Sequence, residues 1–123
     1  MTVAELEITV PKDLWLSANG RYHWATRSRR TRRLRQIAYW QARRQHVPHH
    51  DGPVDVTAQV QARGRFDPPN AAPTVKAIID GLTDAGVWDD DDSVHAPRTT
   101  FERMPGTPLK GTHTVRIIIK ETR

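Results

Sequence analysis

Cysteine is absent from this chain of 123 residues, and no long hydrophobic run interrupts its polar composition. The absence of cysteine excludes disulfide bonds, thiol catalysis and zinc sites built from cysteine. The longest strongly apolar stretch is the three isoleucines at 117–119, far shorter than a membrane span or the core of a signal peptide. We therefore expect a cytoplasmic protein that has no membrane partner.

Acidic residues are also absent from a long segment near the N-terminus, so the charge distribution is uneven. Residues 1–50 contain ten Lys and Arg against three Asp and Glu, whereas residues 51–123 contain nine against eleven. Nine arginines lie between residues 20 and 45 without any acid among them. Such a block favours nucleic acid as a partner, because guanidinium groups bind phosphate in a bidentate manner; the alternative is a solvated helix face. The residues expected to contact DNA are Arg21, Arg27, Arg29, Arg30, Arg32 and Arg33.

Four aromatic residues, Tyr22, Trp24, Tyr39 and Trp40, are interleaved with these arginines. A disordered basic tail has no use for them, so the segment is expected to be folded. The sequence leaves three roles open for the four rings: packing in the core, contact in a dimer, or stacking on bases.

Hydrophobic periodicity predicts a single α+β domain over residues 1–123, with a mixed sheet and two helices. Alternating apolar residues predict strands at 6–10, 54–62 and 112–120 and a less regular strand at 94–103. Helical spacing predicts a basic helix at about 28–45 and a second helix that begins near Pro73 and ends before Gly86. The expected order is β-α-β-α-β-β, and the Pro- and Gly-rich connection between the last two strands predicts a hairpin. A content of 37% hydrophobic residues makes the core thin, which favours a homodimer.

Four consecutive aspartates at 89–92 are unusual in a basic chain. Carboxylates this close repel one another unless a cation or many water molecules lie among them, and Mg²⁺ prefers such ligands. Asp67 follows the second predicted strand, and Lys76 lies in the first turn of the predicted helix after it. If the chain brings the aspartates back to Asp67, they can hold a metal that activates water, while Lys76 stabilises a phosphate. Otherwise the aspartates form a solvated turn.

Two further features near these aspartates are open to more than one interpretation. His46, His49 and His50 have no fourth ligand at a spacing typical of zinc sites, so we interpret them as part of a polar loop. Trp88 either packs beneath the aspartates or stacks on a base.

Three segments of the chain, taken in order, match a known pattern. They read Ser-Ala-Asn-x-Arg-Tyr at 17–22, Asp-Pro-Pro-Asn at 67–70 and Lys-x-x-x-Asp-x-Leu-x-x-Ala-Gly-x-Trp-x-Asp-Asp at 76–91. In this order they resemble the RusA family of Holliday junction resolvases, over nearly the whole chain and most specifically between residues 67 and 94. The resemblance implies a dimeric α+β endonuclease of DNA recombination and repair. Such an enzyme cuts two symmetric strands of a four-way DNA junction with Mg²⁺ or Mn²⁺.

The resemblance also implies roles for individual residues and a setting for the protein. Asp67, Asp90 and Asp91 would bind the catalytic metal, and Lys76 would have an essential basic role. The expected setting is the cytoplasm of a bacterial cell or of a phage-infected host.

Two departures from the family pattern leave alternatives open. Pro69 stands where the family's Asp-x-Asp-Asn motif has its second aspartate, and the spacing from Asn70 to Lys76 is longer than usual. In one alternative Asn70, Asp89 or Asp92 supplies the missing oxygen, although Asn70 can equally be a helix-capping residue. In the others, metal affinity and turnover are reduced, or the protein binds DNA without cutting it.

Overall fold

The computed structural model describes residues 2–89 and 98–122. These residues form four strands and two helices, which we label β1 (Thr2–Pro11), α1 (Trp24–Arg44), β2 (Val54–Gln61), α2 (Ala72–Asp84), β3 (Arg98–Arg103) and β4 (Thr112–Glu121). The predicted α+β class, the two helices and the β-α-β-α-β-β order are confirmed.

The four strands form one mixed sheet in the order β1-β4-β2-β3. Strand β4 runs antiparallel to both β1 and β2, and β3 runs parallel to β2. The predicted hairpin between β3 and β4 is therefore wrong, since β3 pairs with β2 instead. The physical reason lies in the strand sequences. Strand β4 buries Val115, Ile117 and Ile119 and takes an interior position, whereas β3 has no buried residue and forms an edge.

The core is a single cluster that joins one face of the sheet to both helices. Strand β1 shows this most simply, because Leu6, Ile8 and Val10 are buried while their neighbours are exposed. Helix α1 contributes Leu34 and Ala38, and α2 contributes an almost continuous buried stripe. Helix α1 is thus fixed against the core, and its arginines other than the half-buried Arg30 are exposed.

Helix α2 ends as its sequence predicts. Gly86 has a φ of 80° and donates its N–H to the carbonyl of Thr83, while the N–H of Val87 donates to the carbonyl of Leu82. This pair of hydrogen bonds is a Schellman motif. The indole N–H of Trp88 then donates to Thr83 Oγ1 at 2.7 Å, and the ring is buried. Trp88 therefore packs in the core, and the alternative that it stacks on a base is wrong.

Helix α1 is 21 residues long and carries eight arginines. Within residues 2–89 and 98–122, no helix combines the length and hydrophobicity that are needed to cross a membrane.

Candidate nucleic-acid interface and carboxylate groups

The loop at residues 17–22 is held against the start of α2 by hydrogen bonds. Thr74 Oγ1 accepts from the N–H of Leu16 at 2.8 Å and donates to the carbonyl of the same residue at 2.8 Å. The N–H of Ala18 donates to the carbonyl of Asn70 at 2.8 Å. The fold therefore places the first two segments of the RusA resemblance side by side, although they lie far apart in the sequence.

Arginines from α1 support this loop from the other side. The hydroxyl of Tyr22 accepts from the N–H of Ser17 at 2.9 Å, and the guanidinium groups of Arg27 and Arg30 lie 5.7 and 5.3 Å from the centre of the Tyr22 ring. Arg30 Nη1 also donates to the carbonyl of Trp15 at 3.0 Å. Arg27 and Arg30 therefore help to fix the loop, and a DNA contact by either of them stays a prediction.

A cleft of ≈ 280 Å³ opens beside the loop and is lined by basic and polar side chains, among them Arg63, Arg65, Asn19, Asn70 and His113. Burial lowers the pKa of His113, and the charge of Lys12 lowers it further, and both effects favour the neutral imidazole. Asn70 lines this cleft and is not the N-cap of α2, since that position is Ala71.

Asp67 lies on the surface next to this cleft. It follows β2 and directly precedes a 3₁₀ turn at Pro68–Ala71. A neighbouring hollow is lined by Asp67 together with Arg65, Phe66 and Arg103. Arg103 is held there by a 3.0 Å hydrogen bond from Nη2 to the carbonyl of Gly64. The exposed carboxylate of Asp67 is thus flanked by two guanidinium groups that can bind phosphate.

Lys76 is exposed on α2 and lies in the second turn, because the helix begins at Ala72. Its Nζ is 2.7 Å from Asp80 Oδ1, an i,i+4 pair on the helix surface. Exposed pairs of this kind contribute well under about 1 kcal/mol, so a phosphate can compete with Asp80 for the ammonium group.

Asp89 lies at the end of α2 that is farther from Asp67. The 13 residues of α2 span about 20 Å by helical rise. Beyond that end, the N–H of His50 donates to the carbonyl of Val87 at 2.8 Å, which holds the chain near the start of β2. Asp89 is therefore separated from Asp67 by the full length of the helix.

The other three aspartates of the predicted site, Asp90, Asp91 and Asp92, lie outside the described residues. Their convergence with Asp67 stays a prediction. Strand β3, which follows them, begins beside Asp55 at the start of β2 and runs parallel to it. The end of β3, rather than its beginning, is therefore close to the Asp67 loop.

A group that sequence analysis missed surrounds His49. Its Nε2 is 3.0 Å from Asp51 Oδ1 and 3.4 Å from Asp89 Oδ1, and its Nδ1 is 2.7 Å from the carbonyl of Gly86. In the described part of the chain, this is the one group of three His or Asp side chains close enough to share an ion. The Gly86 carbonyl, and then Asp51, raise the pKa of His49, because both accept hydrogen bonds from the protonated imidazole.

The solvent face of α1 carries most of the remaining arginines. Arg21 precedes the helix and is exposed, and Arg29, Arg32 and Arg33 are exposed on it. Within residues 2–89 and 98–122 none of these four has an ion-pair partner, whereas Arg35 forms a bidentate pair with an aspartate of α2. A basic surface without neutralising acids is what a polyanion requires.

Comparison with known proteins does not assign a family. A scan against protein-family models and a search of curated proteins found no match to this chain. The RusA resemblance therefore rests on the three sequence segments.

Proposed function

We propose that this protein is a metal-dependent, structure-selective DNA endonuclease that resolves four-way junctions by paired symmetric nicks. The observation that supports the proposal most directly is the meeting of segments 17–22 and 67–70 at one end of α2. Around Asp67, the same surface carries Arg63, Arg65 and Arg103, which are suited to hold the phosphates of a DNA strand.

The residues at this surface fit a hard divalent cation such as Mg²⁺ or Mn²⁺. Asp67 offers exposed carboxylate oxygens, and Asn70 offers an amide oxygen one 3₁₀ turn later. In the proposal, Asp67, Asp90 and Asp91 hold the cation, which when bound supplies Lewis acidity and lowers the pKa of water. Lys76 exchanges its pair with Asp80 for a phosphate oxygen and balances the charge that develops there.

A homodimer follows from the form of the substrate. The two strands that are cut in a four-way junction are related by a two-fold axis, and a symmetric dimer presents two equivalent sites to them. The proposal therefore includes a second copy of this chain as a partner.

The second candidate is a non-catalytic DNA-binding protein on the same scaffold. Pro69 favours it, because the position at which the family has a second aspartate offers no ligand here. The separation of Asp67 and Asp89 along α2 also favours the non-catalytic protein, since Asp89 is too far from Asp67 to share an ion with it in one chain.

Cleavage of a labelled four-way junction by single-residue variants tests the proposal. Asp67→Asn and Asp91→Asn each remove a charge that the metal needs, so we expect Mg²⁺-dependent nicking to fall about 100-fold or more while DNA binding persists. Glu5→Gln on β1 is the matched control, because it removes an exposed carboxylate at the opposite edge of the sheet. Nicks are read on a denaturing gel and binding on a native gel.

The outcomes separate the two candidates. Nicking by Asp91→Asn at the rate of the wild type would remove Asp91 from the site. Junction binding by the wild type without any nicks in Mg²⁺ or Mn²⁺ would instead support the non-catalytic protein.

A further inference from the structure

One stripe on the solvent face of α1 combines arginines with an exposed tryptophan. Five residues follow one another at intervals of four, three, four and four, so they share one side of the helix. They are Arg29, Arg33, Gln36, Trp40 and Arg44. All five are exposed, and 64% of Trp40 is accessible to solvent. We call this set the Trp40 stripe.

The stripe contains a hollow of ≈ 340 Å³ whose lining includes Arg29, Arg32 and Arg33. Three guanidinium groups around one concavity suit a phosphate, because a guanidinium group can donate two parallel hydrogen bonds to its oxygens. Trp40 lies seven residues beyond Arg33, about 10 Å farther along the helix axis. A phosphate in the hollow and an aromatic platform thus lie on one line.

The surroundings of Trp40 do not suit an interface between two copies of this face. Helix α1 carries eight arginines and no acidic residue that could pair with the arginines of a second copy. Two copies of this face would also repel each other through their like charges. The rings of Trp40 and Tyr39 pack at nearly a right angle with their centres 5.0 Å apart, so the orientation of Trp40 is supported while 64% of the residue stays exposed.

We infer that the Trp40 stripe binds a DNA strand that has an unstacked base, with phosphates held in the arginine hollow and the base stacked on Trp40. Base faces in a regular duplex are covered by their neighbours, so Trp40 gains contact only where a base is unpaired, as in a single strand or at a branch point. The inference rests on the proposed function and deepens it. It identifies the element by which branched DNA is distinguished from duplex.

Binding without divalent metal tests the inference separately from cleavage. Fluorescence anisotropy would compare a four-way junction, a single-stranded oligo(dT), a single-stranded oligo(rU) and a perfect duplex. Trp40→Ala should weaken binding to the junction and to oligo(dT) about 5- to 150-fold, the loss of one base stack. Binding to duplex should change less than about twofold, and Trp40→Phe should restore most of the loss.

Two further variants serve as a control and as a second probe. Trp24→Ala removes a tryptophan that is 76% exposed but lies on another side of α1, and it should leave every affinity within about twofold. Joint replacement of Arg29 and Arg33 by Gln should weaken binding to all DNAs and reduce the salt slope by about two.

Several results would overturn the inference. They are an equal loss on duplex and junction for Trp40→Ala, no loss on either, the same pattern for Trp24→Ala, or preferential binding to oligo(rU). A change of oligomeric state in Trp40→Ala, measured by light scattering, would assign Trp40 to a dimer contact instead. Failure of the wild type to nick DNA would count against the proposed function and would leave these binding results standing.

Discussion

Replacement of Thr74 by Val should show how strongly the N-terminal loop is fixed to α2. The change keeps the shape of the side chain but removes its hydroxyl, which makes two hydrogen bonds with the backbone of Leu16. Thr74 is 0% exposed, so water cannot replace the lost partner. Leaving a buried donor or acceptor unpaired costs about 1–3 kcal/mol each, so for the two groups we expect a total loss of about 2–6 kcal/mol in the free energy of unfolding.

Urea denaturation followed by tryptophan fluorescence measures this loss, and Thr74→Ser is the matched control. Serine keeps the hydroxyl and loses only a buried methyl group, at a cost of about 1 kcal/mol. The expected order of stability is wild type, then Thr74→Ser, then Thr74→Val. If Thr74→Val were as stable as the wild type, or more stable than Thr74→Ser, the hydroxyl would not be what fixes the loop.

Three other predictions concern helix packing, titration and assembly. Gly81→Ala should destabilise the protein by about 1–3 kcal/mol, because the new Cβ would lie 2.7 Å from Ala38 Cβ and would also meet the carbonyl of Arg35. Thermal unfolding measures this loss. Unchanged stability would contradict the close packing of the two helices. The imidazole of His49 should titrate above its ordinary pKa in NMR spectra, and Asp51→Asn should lower that pKa. The stability that this proton contributes is present below the pKa of the unfolded chain and is lost as the pH rises through the folded pKa. An ordinary pKa for His49 in the NMR titration would refute the pairing. Light scattering at micromolar concentrations should give a homodimer, and a mass of 14.0 kDa throughout would exclude it.

The elements of the fold were largely predictable because each is defined by neighbouring residues. The alternation of Val115, Ile117 and Ile119, the helical stripe of α2 and the glycine at its C-terminus are all local signals. The pairing of β3 was not predictable in this way. A Pro- and Gly-rich connection is typical of a hairpin, yet the more apolar β4 occupies the interior of the sheet and β3 pairs with β2.

The candidate sites were predictable only where their residues are close in sequence. The basic face of α1 follows from the spacing of its arginines. By contrast, His49 meets Asp89, and Thr74 meets Leu16, through contacts between distant parts of the chain. No periodicity encodes such contacts, because they depend on how α2 is placed between the two loops at its ends.

The most direct test of the proposed function is to incubate the purified wild type with an end-labelled, mobile four-way junction. The incubation would be done in Mg²⁺, in Mn²⁺ and in excess chelator, and the products would be mapped on a denaturing gel. The proposal predicts nicks at symmetric positions on two opposing strands, dependent on the metal and absent from a linear duplex of the same sequence. Junction that is bound but uncut under every metal condition, or duplex cut as readily as junction, would contradict it.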